Sequence, residues 1–177
     1  MTRSVFLLNP PSLPGAVANR EGSAGMGVLS DAANPFVYPP HLLATAAAVL
    51  RRAHWRVAGL DAVAQGLDAD GVLERLPRSD VLVLPVSYGT QAADRAFLNR
   101  LRERQPLAKV LAIGPALSYA QVDHAFSDLA DALLMGEPEL ALPAAAARLL
   151  AGDLPPGRAV NPYTLAAQHY TPAGLLL

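Results

Sequence analysis

Five short apolar segments, each followed by a loop rich in proline, glycine or small polar residues, constrain this chain most strongly. The segments are Ser4–Asn9, Trp55–Leu60, Asp80–Val86, Lys109–Ile113 and Ala132–Met135. The continuous apolar run Ser4–Asn9, bounded by Pro10-Pro11, fits no amphipathic helix and predicts a fully buried β-strand, and we predict β-strands at the other four segments. Helical patterns lie between and after them, at His41–Ala53, Asp68–Leu76, Gln91–Arg104, Gln121–Leu129 and Leu140–Ala151. This alternation predicts a Rossmann-like α/β fold: an open, mostly parallel five-stranded sheet with helices on both faces, in a cobalamin-binding or flavodoxin-like order.

Two stretches fall outside this alternation. Residues 10–40 form a long connection rich in Gly, Pro, Ser and Ala, and loops of this length in compact domains are usually functional or disordered. Residues 153–177 lose all periodicity and carry several prolines, which is typical of a tail or interdomain linker. We therefore predict one domain over residues 1–152, followed by that tail.

Composition excludes several classes of function. The chain has 177 residues, a formal net charge of -1 and no cysteine. The near-neutral charge gives no indication of a nucleic-acid or anionic membrane partner. The absence of cysteine excludes disulfides, thiolate metal sites and iron–sulfur clusters within this chain. No apolar run approaches the roughly 18 residues of a membrane span, and the first strand is too short for a signal peptide, so we predict a cytoplasmic protein.

The loops that follow the strands should meet, because the carboxyl ends of parallel strands share one edge of the sheet, where such folds bind ligands. Asn9-Pro10-Pro11 follows the first strand, Ser87-Tyr88-Gly89-Thr90 the third and Gly114-Pro115 the fourth. Gly136-Glu137-Pro138-Glu139 follows the fifth strand. By local chemistry alone, Thr90 could cap the next helix, Ser87 could satisfy a turn and Glu139 could complement a helix dipole.

The order of these motifs, over roughly residues 4–151, resembles the N-terminal cobalamin-binding domain of cobalamin-dependent radical S-adenosylmethionine enzymes. The similarity lies in Asn9-Pro10-Pro11 and in the stretches Pro39–Arg51, Leu60-Asp61, Asp80–Thr90, Pro106–Pro115 and Asp131–Glu139. Three glycines of the family pattern are replaced here, by Leu42, Ile113 and Pro138.

The resemblance implies a cobalamin-binding module that holds a base-off corrin without a histidine ligand. It implies a radical S-adenosylmethionine domain as partner, in cis or in trans, that performs methyl-transfer chemistry. In that family Ser87 and Thr90 would hydrogen-bond the nucleotide tail of the cofactor. The implied cofactor-binding residues are Asn9, Pro10, Ser87, Tyr88, Gly89, Thr90, Gly114, Pro115, Gly136 and Glu137. No catalytic residue or protein metal ligand is implied, and without cysteines the chain is not a complete enzyme.

Two alternatives remain open at this point. One is a degenerate, non-binding interaction domain of the same fold, which the missing glycines favour. The other is a small serine hydrolase using Ser87, although a nucleophile elbow requires glycine where Pro85 stands. A receiver domain would need an acidic pair after the first strand and an aspartate after the third, where Asn9 and Ser87 stand instead.

Overall fold

The structure, a computed structural model, describes residues 3–35, 37–136, 138–154 and 159–160. Its strands are β1 (Ser4–Asn9), β2 (Ala16–Asn19), β3 (Val28–Asp31), β4 (Arg56–Asp61), β5 (Val81–Pro85), β6 (Val110–Gly114), β7 (Ala132–Met135) and β8 (Ala159–Val160). Its helices are α1 (His41–Arg52), α2 (Ala69–Arg75), α3 (Gln91–Arg104), α4 (Ala120–Phe126) and α5 (Pro138–Ala151). Short 3-10 turns lie at Ser23–Gly25 and Pro115–Ser118.

The main sheet has the order β4-β1-β5-β6-β7-β8, and all of its neighbouring strands are parallel. The predicted α/β fold with a five-stranded parallel sheet is therefore confirmed. The strand β8 lies in the predicted tail and extends the sheet beside β7. The rest of residues 155–177 is outside the described residues, so the predicted domain boundary stays a prediction.

Successive strand residues point to opposite faces of the sheet, which produces two apolar cores. Phe6 and Leu8 of β1 pack into the core shared with α2, α3 and α4. Val5 and Leu7 pack into the core shared with α1 and α5. Helices therefore cover both faces, which explains why the central strands β1, β5 and β6 are almost wholly buried, whereas the edge strand β4 is largely exposed. In the described part of the chain, no helix combines the length and apolarity needed to cross a membrane.

The long connection after β1 has a structure that the sequence did not predict. Within it β2 and β3 form an antiparallel hairpin, separate from the main sheet. We call residues 10–40, apart from the undescribed Phe36, the strap. The strap contacts the loops that follow β5 and β6, so it lies against the carboxyl edge of the parallel sheet.

Candidate functional site

Parallel topology brings the predicted binding residues to one edge. Asn9 ends β1, residues 87–90 follow β5, Gly114 ends β6 and Gly136 follows β7. Pro10 and Pro115 continue from the strand ends at the same edge. Glu137 lies outside the described residues. These residues therefore lie at one edge, as the sequence predicts, and the side chains that hold this edge together include residues that the sequence did not single out.

A buried arginine from the strap is the centre of this edge. The Arg20 side chain is 2% exposed and its guanidinium lies 2.6 Å from Oδ1 of Asp94, whose side chain is fully buried. Arg20 Nε also donates to Asp94 Oδ1 at 2.7 Å. The other terminal nitrogen donates to Asn9 Oδ1 and to the Pro10 carbonyl, each at 2.9 Å. Because both charges are paired and the guanidinium is widely hydrogen-bonded, this buried ion pair is internally satisfied.

Two hydroxyls extend the network to β5. Thr90 Oγ1 donates to Asp94 Oδ2 at 2.7 Å, and Ser87 Oγ lies 2.6 Å from Thr90 Oγ1. Since the single proton of Thr90 goes to the carboxylate, Ser87 is the donor to Thr90. Burial raises the pKa of Asp94, and the Arg20 charge and the Thr90 hydrogen bond oppose that rise. Ser87 and Thr90 are both fully buried, so neither hydroxyl faces solvent.

The strap backbone packs directly onto the strand-end loops. A Cβ at Gly27 would lie 2.0 Å from Ser87 Oγ, and one at Gly25 would lie 2.4 Å from the Ala116 nitrogen. The Tyr88 N–H donates to the Gly25 carbonyl at 2.9 Å, and the Gly89 N–H to the Met26 carbonyl at 2.6 Å. Only glycine permits so close an approach. The strap therefore closes the edge from outside.

These contacts do not fit a cobalamin tail. The hydroxyls of Ser87 and Thr90, which the resemblance assigned to the tail, bond to each other and to Asp94. The Asn9 amide donates to Asp61 and its oxygen accepts from Arg20. The space over Ser87 is filled by Gly27. A nucleotide tail beside β5 would require displacing the strap and breaking the buried ion pair.

Hydrolase chemistry at Ser87 is equally unsupported by the geometry. Its hydroxyl is fully buried and hydrogen-bonds Thr90, not a histidine. Thr90 occupies the cap position of α3, but its side chain bonds Asp94 rather than a helix N–H. Among the described residues, no group of three or more His, Cys, Asp or Glu side chains could hold a metal ion.

The outer surface of the closed edge carries exposed aromatic side chains. Tyr88 and Tyr119 pack edge to face, with ring centroids 6.3 Å apart. Met26, whose carbonyl accepts from the residue after Tyr88, is also exposed. We call Met26, Tyr88 and Tyr119 the tyrosine patch.

Comparison with known proteins supports the fold and not the resemblance. No protein family model matches this chain, and no curated protein matches it closely. Similar solved structures include the isolated REC domain of RcsB from Salmonella enterica serovar Typhimurium, determined in the presence of the phosphomimetic BeF3-. The two share 14% sequence identity with a TM-score of 0.56, over 97% of this chain and 100% of that one. At this identity the likeness establishes the fold alone.

The predicted membership of the cobalamin-binding family and the predicted cobalamin function are therefore wrong. The similar structure is a receiver domain, so cobalamin, radical S-adenosylmethionine and metal-binding roles have no support. The physical reason is that the matching motifs are turns. Proline and glycine at strand ends, as at Pro10 and Gly114, form the turns that any parallel sheet of this kind requires.

Sequence reasoning missed Arg20, Asp94 and Gly27. Asp94 had a usable indication, because Asp94, Leu98 and Leu101 recur at the spacing of one helix face and all three are buried. A carboxylate on such a face needs a buried partner. Arg20 is the sole cation of residues 10–40, flanked by Asn19 and Glu21, and nothing local indicated that it would be buried or that Gly27 would be a contact.

Proposed function

We propose that this chain is a partner-binding module with a receiver-like fold, and that it binds through the strap-covered carboxyl edge. One observation carries the proposal, namely the distribution of exposed large apolar side chains among the described residues. Six of them lie on the strap or on the loops beside it: Met26, Val28, Val37, Tyr38, Tyr88 and Tyr119. The seventh, Leu107, precedes β6 at the opposite edge. Apolar and aromatic surface concentrated in one region is typical of interaction sites.

The buried network supports this proposal because it fixes the surface from beneath. Arg20 holds the strap to Asn9 and Asp94, and two backbone hydrogen bonds hold residues 25 and 26 to the loop of Tyr88. A surface that is already ordered loses little conformational entropy when a partner binds. The tyrosines have few rotatable bonds, which lowers that cost further.

The residues argue for recognition without phosphorylation. A receiver domain needs an acidic pair after its first strand and an aspartate after its third. Here β1 ends at Asn9, which Pro10 follows, and Ser87 follows β5. Ser87 is also buried beneath the strap. We therefore propose that the partner, a domain in cis or another protein in trans, recognises this edge in the conformation that it has without phosphorylation.

Site-specific photo-crosslinking in the cells that make the protein tests this proposal. Tyr88, Tyr119 and Leu107 are replaced, one at a time, by p-benzoylphenylalanine in the full chain. We expect a discrete adduct from the first two positions and none from Leu107, which is 92% exposed and serves as the control. Equal labelling at all three positions, or none at Tyr88 and Tyr119, would mean that this edge is not the binding surface.

Once the partner is identified, Tyr88→Ala measures the energy of the contact. Truncating a central aromatic residue of an interface costs on the order of 2 kcal/mol or more of binding free energy. A purified Tyr88→Ala variant should therefore bind its partner about 30-fold more weakly in a calorimetric titration. Leu107→Ala should bind as the unmodified chain does.

A further inference from the structure

A second surface feature lies at the opposite, amino edge of the sheet. The residues that begin β1, β4 and β5 surround a groove with a volume of about 800 Å³. Its lining consists chiefly of Arg3, Ser4, Arg56, Arg78, Asp80 and Leu150. The two arginines that end α1, Arg51 and Arg52, lie at the same edge because α1 runs back to it before β4 starts. Positive charge is thus concentrated here although the whole chain has a net charge of -1.

The three arginines of the groove have no carboxylate partner in the described part of the chain. Arg3 stacks its guanidinium over the Trp55 ring, 5.6 Å from the centroid, but makes no ion pair there. Elsewhere, Arg95 pairs with Asp128 and Arg100 with Asp70. Other surface arginines, such as Arg52 and Arg104, also make no ion pair within the described residues, so what distinguishes the groove is that three such guanidiniums line one cavity, where they are open to an external anion.

The carboxylate inside the groove is already engaged. Asp80 Oδ2 accepts from the Ser4 N–H at 2.6 Å and from the Ser4 hydroxyl at 2.8 Å. These bonds from Ser4, and to a smaller extent the nearby positive charge of Arg56, hold the pKa of Asp80 below its ordinary value. Asp80 thus orders the start of β1 against β5, and it lies within ion-pair distance of none of the three arginines in the described residues. Three positive charges face one negative charge.

We infer that this groove binds an acidic segment of a partner protein, a short stretch of closely spaced aspartate and glutamate side chains. Its cations are all arginines, whose planar forks match carboxylates with two parallel hydrogen bonds. Three separate guanidiniums in one groove suit a ligand that carries several carboxylates better than a single small anion. Residues 154–177 contain no Asp or Glu, so that stretch does not supply such a segment.

The surroundings favour a peptide over the two other polyanions. Single-stranded nucleic acid needs exposed aromatic rings for base stacking, whereas Trp55 is 7% exposed and is covered by Arg3. A membrane surface needs exposed apolar side chains beside the cations, and the groove offers only the half-buried Leu150.

Fluorescence anisotropy with fluorescein-labelled octaglutamate as the probe tests the inference on the full chain. We expect saturable binding at low ionic strength that weakens with added salt, and no binding of octaglutamine. The double variant Arg56→Glu/Arg78→Glu should bind octaglutamate on the order of tenfold or more weakly, because two charge-assisted contacts become repulsive. Tyr88→Ala should bind it normally, since the tyrosine patch lies at the other edge.

A matched control separates the groove from the net charge of the molecule. Arg95→Glu/Arg100→Glu makes the same change in net charge at exposed positions outside the groove, and it should leave the affinity within about twofold. Circular dichroism checks that each variant is folded, and Arg78→Gln replaces the double variant if that one is not. Equal weakening by both double variants, or no binding of octaglutamate, overturns the inference. Tighter binding of oligouridylate or of phosphatidylserine vesicles, lost in the same groove variant, overturns it in favour of those ligands.

Discussion

At the carboxyl edge of the sheet the Arg20 guanidinium is buried and pairs with Asp94, whereas at the amino edge Arg3, Arg56 and Arg78 are exposed and pair with no carboxylate in the described residues. The first arginine brings a distant segment onto the sheet and is satisfied within the chain. The other three make no ion pair within the described residues, and one of them, Arg3, stacks over the Trp55 ring. The same side chain therefore stabilises the fold at one edge and remains available for binding at the other.

The carboxyl groups differ in the same way. Burial raises the pKa of Asp94 at the carboxyl edge. At the amino edge, burial would raise the pKa of Asp131 too, but the Val110 N–H and the Arg102 guanidinium outweigh it and hold that pKa below its ordinary value. Burial therefore sets the direction of the pKa shift of Asp94 at the carboxyl edge, whereas hydrogen bonds and the nearby charge set that of Asp131 at the amino edge.

Breaking the buried pair should have the largest effect. Arg20→Ala leaves the Asp94 charge buried without its counter-ion, so we expect a loss of about 3–5 kcal/mol in the free energy of unfolding. Urea denaturation measures it. Arg100→Ala removes an exposed pair with Asp70 and should cost about 1 kcal/mol or less.

The double variant Arg20→Met/Asp94→Leu distinguishes the effect of the charges from that of side-chain packing, because it removes both charges and keeps large side chains. Because both charges are removed together, it should be more stable than Arg20→Ala alone. If Arg20→Ala cost no more than Arg100→Ala, the strap would not depend on this ion pair.

The next effect concerns the contact between strap and sheet. Gly27→Ala would place a methyl group 2.0 Å from Ser87 Oγ at a φ of +55°, so we expect a loss of about 2–4 kcal/mol from overpacking and backbone strain together. Gly66→Ala is the control, because Gly66 has a φ of +59° with no atom within 4 Å. Its loss should be only the strain, about 1–2 kcal/mol. Equal losses in thermal unfolding would show that the strap does not press on Ser87.

Asp131 provides a smaller effect that depends on pH. Its lowered pKa in the folded state means that its contribution is complete above the ordinary aspartate value of about 3.9 and is lost as the pH falls through the folded value. Asp131→Asn should therefore cost about 1–2 kcal/mol near neutral pH. The difference from the unmodified chain should shrink steadily below about pH 4.

Urea denaturation across that pH range gives the measurement, and Asp128→Asn gives the control. Asp128 belongs to an exposed pair with Arg95, so its replacement should change stability little at any pH. A difference for Asp131→Asn that grows on acidification would contradict the sign of its pKa shift.

The smallest expected effect is on the open arginines. Arg56→Gln and Arg78→Gln remove charges that have no intramolecular ion pair, so each should change the free energy of unfolding by less than about 0.5 kcal/mol. Arg102→Gln, which loses bonds to Asp131 and to two carbonyls, should cost about 1–3 kcal/mol. A loss above 1 kcal/mol for Arg78→Gln would show that this residue stabilises the fold, and it would contradict the proposed difference between the arginines of the two edges.

Sequence reasoning predicted the sheet well because its indications were local. The central strands β1, β5, β6 and β7 are short apolar runs, and β5 ends at Pro85, one residue before the predicted end at Val86. Asp68, the first residue of the predicted helix Asp68–Leu76, caps α2 by accepting from the Gly71 N–H at 2.8 Å. The boundaries moved by a few residues, since α4 ends at Phe126 rather than at Leu129.

The site could not be predicted in the same way. Arg20 meets Asp94 across 74 residues, and no local pattern specifies such a pair. The strands of the strap hairpin have four residues each in a segment with little apolar alternation. The turn motifs, by contrast, were easily found in the sequence but led to the wrong family. They indicate where strands end, and they do not indicate which ligand binds at those ends.

The two hydrogen bonds between strap and strand-end loop turn the amides of Tyr88 and Gly89 into reporters of local opening. Both N–H groups are held by carbonyls of the strap, at Gly25 and Met26, whereas the neighbouring Val86 N–H is held by Ile113 of β6. Hydrogen exchange at residues 88 and 89 therefore measures the free energy of lifting the strap, while exchange at Val86 measures loss of the sheet. A partner that binds on the strap would slow hydrogen exchange at Tyr88 and Gly89 and leave exchange at Val86 unchanged.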